Sequence, residues 1–229
     1  MSVKESKSLL FNDISWRVSH LGETVILMEC GSTIPIEKIH QSSHTIVNIL
    51  RDKLEDIVPA YHSIAVFTSL TIDQLTVLLA SAPIEEKKPS DSNDIIKLPI
   101  CYELGLDLDR IAKHANLSHE KLIERHLEGV YRSLFIGFTP GFIYADGLDE
   151  NLSCPRLENP RKTIPAGSVG IAGNQTGIYS LASPGGWNII GLTPAKVFDP
   201  NEPKPMLIDV GMKYRFYRIA KKEFESWES

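Results

Sequence analysis

The sequence predicts an α+β protein in two parts, a small N-terminal α/β sandwich followed by a β-rich barrel or sandwich. Glycine and proline are spread unevenly: 2 of the 15 glycines and 4 of the 14 prolines precede residue 93. The hydrophobic pattern changes at the same point, from alternating strand and helix periods to many short β-like runs between Gly/Pro turns. The break coincides with EEKKPSDSN, residues 85–93, a charged stretch of linker character. Domains are therefore expected at residues 1–88 and 94–229.

In the first part, residues 14–18 and 24–28 read as strands around a turn near Gly22. From 36 to 57 the apolar residues Ile36, Ile39, Ile46, Val47, Leu50, Leu54 and Ile57 form one stripe, predicting an amphipathic helix. Pro35 suits its first turn and Pro59 lies just beyond its end. A strand at 61–68 and a helix at 72–81 complete a β-β-α-β-α order, which fits a sheet with one helical face.

The second part opens with a strand at 96–102 and two short helices at 108–115 and 118–127, with Asp107 and Ser118 as N-caps. Short strands follow at 131–138, 168–172, 178–181, 187–192, 196–199, 206–210 and 213–219. Their number and spacing indicate a barrel or sandwich.

Composition narrows the functional classes. The 24 basic and 29 acidic residues leave a net charge of −5, and no dense Lys/Arg run exists, which disfavours nucleic-acid or anionic-membrane binding. No apolar run approaches the roughly 18–20 residues of a membrane span, and MSVKESKS carries no apolar signal core. Cys30, Cys101 and Cys154 are odd in number and form no C-x-x-C pair, as in a reducing compartment. A cytoplasmic location is expected.

Generic motifs contribute little. The two helices of the second part could form a helix-turn-helix, but Glu120, Glu124 and Glu128 offset Lys121 and Arg125, so a hairpin covering one end of the barrel is expected. His40 and His44 share a helix face without H-E-x-x-H or a third ligand, so they read as surface histidines and no metal site is assigned. AGSVG, residues 166–170, lacks the strand-to-helix context of a nucleophile elbow. No G-x-x-x-x-G-K-[ST] is present.

Residues 137–194 stand apart, with GFTPGF, NPRKTIPAGSVGIAGNQTG and SPGGWNIIGLTP. Such alternation of Gly and Pro builds specific loops, here read as a binding rim that carries Thr139, Arg161, Lys162, Ser168, Asn174, Gln175 and Thr176. His126 lies just upstream, where the helices hand over to the strands.

These strings resemble the family called allophanate hydrolase subunit 1, or KipI-like, whose bacterial members are mostly described as the B subunit of ATP-dependent 5-oxoprolinase (PxpB). Pro99 to Tyr102, His126 and residues 137–194 carry the likeness closely, and the N-terminal part matches in pattern. The resemblance implies a C-terminal cyclophilin-like β-barrel and two partner polypeptides, a C subunit (KipA-like) and an A subunit (LamB/YcsF-like). It implies ATP as the energy source for opening the 5-oxoproline lactam to L-glutamate. Carried over, the polar pocket comprises His126, Arg161, Ser168 and Gln175, with Thr176 beside them and Phe138 and Phe142 as aromatic walls. His126 is then the acid/base or oxyanion donor, and Gln175 and Arg161 orient a carboxylate or phosphate.

Three departures from the family pattern stand out: the short loop at 103–106, the run Ile143, Tyr144, Ala145, Asp146, Gly147 after PGF, and Gly211–Met212 where a Gly-Asp turn is usual. The family also contains KipI-type regulators that bind the dimerisation helices of a sensor histidine kinase, and the loops do not separate the two functions. Peptidyl-prolyl isomerisation would rest on fold analogy alone.

Overall fold

The computed structural model describes residues 6–81 and 95–227, so the expected linker at 85–93 lies outside the described residues. The chain divides into two compact units, Met1–Ser92 and Asn93–Ser229. Among the described residues, no helix is long and apolar enough to cross a membrane.

The first unit runs β1 (Ser6–Phe11), β2 (Ile14–His20), β3 (Val25–Glu29), α1 (Ile36–Leu50), β4 (Asp56–Pro59), β5 (Ser63–Phe67) and α2 (Ile72–Ala80). Its antiparallel sheet has the order β1-β2-β3-β5-β4. Strand alternation sends Ile14, Trp16, Val18, Ile26, Met28, Ile64 and Val66 to one face, where Ile39, Ile46, Leu50, Leu75 and Leu79 of the helices complete the core.

Four expectations change here, since β4 as well as β1 is a strand absent from the expected order. β1 is an additional strand, and Asn12 and Asp13, both at positive φ (51° and 58°), form the tight turn that joins it to β2. α1 ends at Leu50, not at 57, because Arg51 takes φ 46° and a 3₁₀ turn follows. Leu54 and Ile57 extend the apolar stripe because they pack on the same core from beyond the helix, Ile57 from β4. His40 is buried within α1, whereas His44 is exposed, so only the latter is a surface histidine.

The second unit contains β6 (Ile96–Ile100), α3 (Leu108–Ala115), α4 (His119–Glu128), β7 (Tyr131–Ile136), β8 (Ile143–Asp146), β9 (Arg161–Ile164), β10 (Ser168–Ala172), β11 (Gln175–Ile178), β12 (Ser183–Gly185), β13 (Asn188–Leu192), β14 (Lys213–Arg218) and α5 (Lys221–Glu225). Seven strands follow the order β13-β10-β11-β8-β7-β14-β6. Cys101, just past β6, exchanges two backbone hydrogen bonds with Leu192 of β13 (2.8 and 3.0 Å), which joins the two edges into a nearly closed barrel. The fold is α+β.

α3 has the bounds its sequence predicts, and Ser118 caps α4 by accepting a hydrogen bond from Lys121 N. The strands expected at 196–199 and 206–210 shrink to one bridge between Phe198 and Met206. β8, β9 and β12 are strands beyond those the sequence predicts. β9 and β12 pair with each other as a separate two-stranded ribbon.

The barrel wall has two differently built faces. Val169 and Ile171 of β10, Ile178 of β11 and Ile143 and Ala145 of β8 fill the interior together with Leu98, Ile100, Ile190, Tyr131, Tyr214 and Phe216. On the outer face, Phe142, Ile164, Ala172, Tyr179, Trp187 and Ile189 form a second cluster, with Tyr144 and Leu192 against it.

Candidate functional site

The outer face owes its shape to missing side chains. A Cβ on Gly177 would meet Ile143 O at 2.6 Å and the Phe142 ring at 3.0 Å, and one on Gly170 would meet Trp187 Cβ at 3.1 Å. Glycine at these wall positions lets aromatic rings lie directly on the strands. The rings form a continuous row. Phe142 packs edge-on against Tyr179 (4.8 Å between centroids), Trp187 (5.5 Å) and Phe138 (5.6 Å).

Phe138 ends this row and is 62% exposed, at φ 70° in the loop between β7 and β8. A bulky residue in the left-handed region is strained, and such strain concentrates at functional sites. The loop is held by Gly137 N to Phe142 O (3.1 Å) and Phe142 N to Thr139 O (3.1 Å), and Ser180 Oγ donates to Pro140 O (2.5 Å). Burial of Tyr179 pushes its hydroxyl pKa up to about 12, and the neighbouring Arg156 and Arg161 charges oppose that rise.

Several residues of the sequence-derived pocket lie on this face by strand alternation. Phe138 and Phe142 belong to the ring row. Ser168 leads β10, its backbone O accepting from Tyr179 N (2.9 Å), and its Oγ is buried without a partner among the described residues. Gln175 begins β11 opposite Ala172, across a turn in which Gly173 takes φ 61°. Phe142, however, is buried under the other rings, so the exposed aromatic wall is Phe138.

Arg161 sits at the edge of this face with both terminal nitrogens engaged. Nη1 and Nη2 donate to the two carboxylate oxygens of Asp107 at 2.9 and 2.7 Å, and Ile189 N donates to the same carboxylate at 2.7 Å. The Asp107 side chain is 6% exposed and that of Arg161 29%. Asp107, expected to cap α3, makes no side-chain cap; its carboxylate serves the arginine instead. Arg161 therefore ties β9 to the start of α3 with its bidentate fork.

Two residues lie elsewhere. Thr176 faces the barrel interior opposite Ile171 and Ala145, and its hydroxyl donates to Gly170 O at 3.0 Å. Its expected place in the rim is corrected, because strand alternation turns it inward. His126 is fully buried where α4 packs on the barrel, stacked on Phe216 (5.1 Å) and sharing a 2.7 Å hydrogen bond between Nδ1 and the Tyr102 hydroxyl. Burial lowers its pKa to about 3, so the imidazole stays neutral near pH 7. His126 therefore lies among Tyr102, Tyr131 and Phe216, away from the rim that carries Phe138.

Arg156, Tyr179 and Trp187 were missed as site residues. Trp187 stands within SPGGWNIIGLTP, but nothing in the local sequence says that a Gly-lined wall would carry it. The guanidinium carbon of Arg156 lies 5.7 Å from the Trp187 ring centroid.

Comparison with known proteins agrees with this architecture. Residues 16–208 match the family described as carboxyltransferase domain, subdomain C and D. The chain is 32% identical to the 5-oxoprolinase B subunit of Bacillus subtilis over 94% of its own length and 98% of that protein. It belongs to the family of 5-oxoprolinase B subunits, the KipI family. The Haemophilus influenzae member, also named as a 5-oxoprolinase B subunit, is 40% identical over 70% of this chain and 78% of its own. Among solved structures, the crystal structure of TTHA0988 superposes with a TM-score of 0.74 at 31% identity. That match covers 85% of this chain and 40% of the longer TTHA0988 chain.

Proposed function

We propose that this chain is the B subunit of an ATP-dependent 5-oxoprolinase, located in the cytoplasm. It would act with an A subunit of the LamB/YcsF type and a C subunit of the KipA type to convert 5-oxo-L-proline to L-glutamate. The observation that carries this is likeness over nearly the whole of both chains to a relative named for that subunit, 94% of this one and 98% of the other.

The chemistry gives such a subunit a defined task. A five-membered lactam is a stable amide. Moving a phosphoryl group from ATP to its carbonyl oxygen makes the ring carbon electrophilic. Water adds there, the ring nitrogen leaves with a proton, and a second water hydrolyses the remaining acyl phosphate to release phosphate.

Exposed Phe138 offers apolar surface for the ring, and Gln175 at the start of β11 offers a polar group for its amide. The chain has no G-x-x-x-x-G-K-[ST] loop, so a phosphate cradle of that type would come from another subunit.

The test is co-expression with the A and C subunits, followed by measurement of ATP-dependent glutamate release from 5-oxo-L-proline. An assembled three-subunit complex that releases none would overturn the proposal and favour the kinase-binding alternative.

A further inference from the structure

We propose that Arg156, whose guanidinium lies over Trp187, is the residue that binds the carboxylate of the substrate, in place of Arg161. The inference rests on the oxoprolinase reading above and deepens it, because 5-oxo-L-proline carries a carboxylate beside its ring.

Three observations support the assignment. The first is availability. Both terminal nitrogens of Arg161 are bonded to Asp107, and Arg110 donates through Nε to Asn188 Oδ1 at 2.8 Å. Arg156 has no carboxylate partner among the described residues, and it is exposed.

The second is placement. Cys154 and Gly173 exchange backbone hydrogen bonds (3.2 and 2.7 Å), which fixes the chain just before Arg156 to the turn that leads into Gln175. Leu157 N donates to Gly186 O (2.8 Å), which fixes the chain just after it beside Trp187. Pro155 between these anchors restricts the backbone further. A long side chain thus leaves a rigid stem and brings its guanidinium carbon to 5.7 Å from the indole centroid.

The third is chemistry. An arginine without an acidic partner keeps its N–H groups open to a ligand, and a planar fork of donors matches a carboxylate. Arg156 lies on Trp187, Trp187 touches Phe142, and Phe142 touches exposed Phe138, so a cation and an apolar edge bound the same row of rings.

In the assembled three-subunit complex, Arg156→Gln should raise KM for 5-oxo-L-proline about 10- to 100-fold, the loss of one charge-assisted contact. The kcat should stay within about threefold, as for binding shared by ground and transition states. Arg156→Lys, which keeps the charge without the fork, should fall between. A second readout is Trp187 fluorescence in the isolated chain. It should change saturably with 5-oxo-L-proline, not with 2-pyrrolidinone, and the change should vanish in both Arg156→Gln and Trp187→Phe.

An active wild-type complex in which Arg156→Gln leaves KM unchanged, or lowers only kcat, overturns the carboxylate assignment alone. A wild-type complex without turnover overturns the function on which it rests.

Discussion

On β10 and β11 neighbouring residues serve opposite purposes. Val169, Ile171 and Ile178 turn into an interior filled by branched aliphatics and rings, whereas Gly170 and Gly177 turn outward under Trp187 and Phe142. The interior is specified by volume, so each side chain must be present and of the right size. The outer face is specified by omission, since its rings lie where a Cβ would otherwise be. The interior also holds a histidine neutral in an apolar setting, while the outer face keeps arginines at its margin. One face fills the barrel, and the other buries a row of rings that ends in exposed Phe138.

The largest expected effect tests the margin of the outer face. Arg161→Gln leaves the Asp107 carboxylate buried without its guanidinium and should cost roughly 3–5 kcal/mol of folding stability, measured by urea denaturation. An effect near zero would mean that the pair does not tie β9 to α3.

Next, Gly177→Ala pushes a methyl against backbone and the Phe142 ring. It should destabilise by about 1–3 kcal/mol, whereas an exposed strand position would tolerate the change. A melting temperature equal to wild type would show that the ring row can move off the strand.

The interior gives a pH signature. His126 stays neutral in the folded chain down to about pH 3, whereas an unfolded chain protonates it near 6.5. The unfolded state therefore binds more protons in that window, and stability should fall as pH drops below 6.5, by up to about 1.4 kcal/mol per unit. His126→Gln should remove that part of the slope. Urea midpoints at several pH values check it, and an unchanged slope would place the titration elsewhere.

The smallest effect should come from Phe138. Its exposure predicts that Phe138→Ala changes stability by less than about 0.5 kcal/mol, while Phe138→Gly should be slightly more stable because φ 70° suits glycine. If Phe138 instead anchors the fold, both variants will melt earlier than wild type.

Legibility differs between elements for physical reasons. α3 and α4 are readable because their 3.6-residue stripes, and the Ser118 cap of α4, are local. The end of α1 is not, since Leu54 and Ile57 pack on the same core from beyond the helix and prolong its apolar stripe. β8, β9 and β12 are only three or four residues long, too short to show a period. Within the candidate site, the loops of residues 137–194 announce themselves through Gly and Pro. The division among their polar residues does not, because Thr176 and Gln175 are adjacent and strand pairing alone decides which turns inward.

By itself, the sequence determined the two-part α+β organisation, the glycine-rich segment that shapes the outer wall, and the family resemblance. These are properties of composition, period and motif, which survive without a third dimension. Only the tertiary structure decided which charges are free. Asp107 reaches Arg161 across 54 residues and the Ile189 amide across 82, and Arg156 finds Trp187 through backbone anchors at Gly173 and Gly186. A side chain's availability depends on who meets it after the chain closes into a barrel, and no local pattern records that meeting.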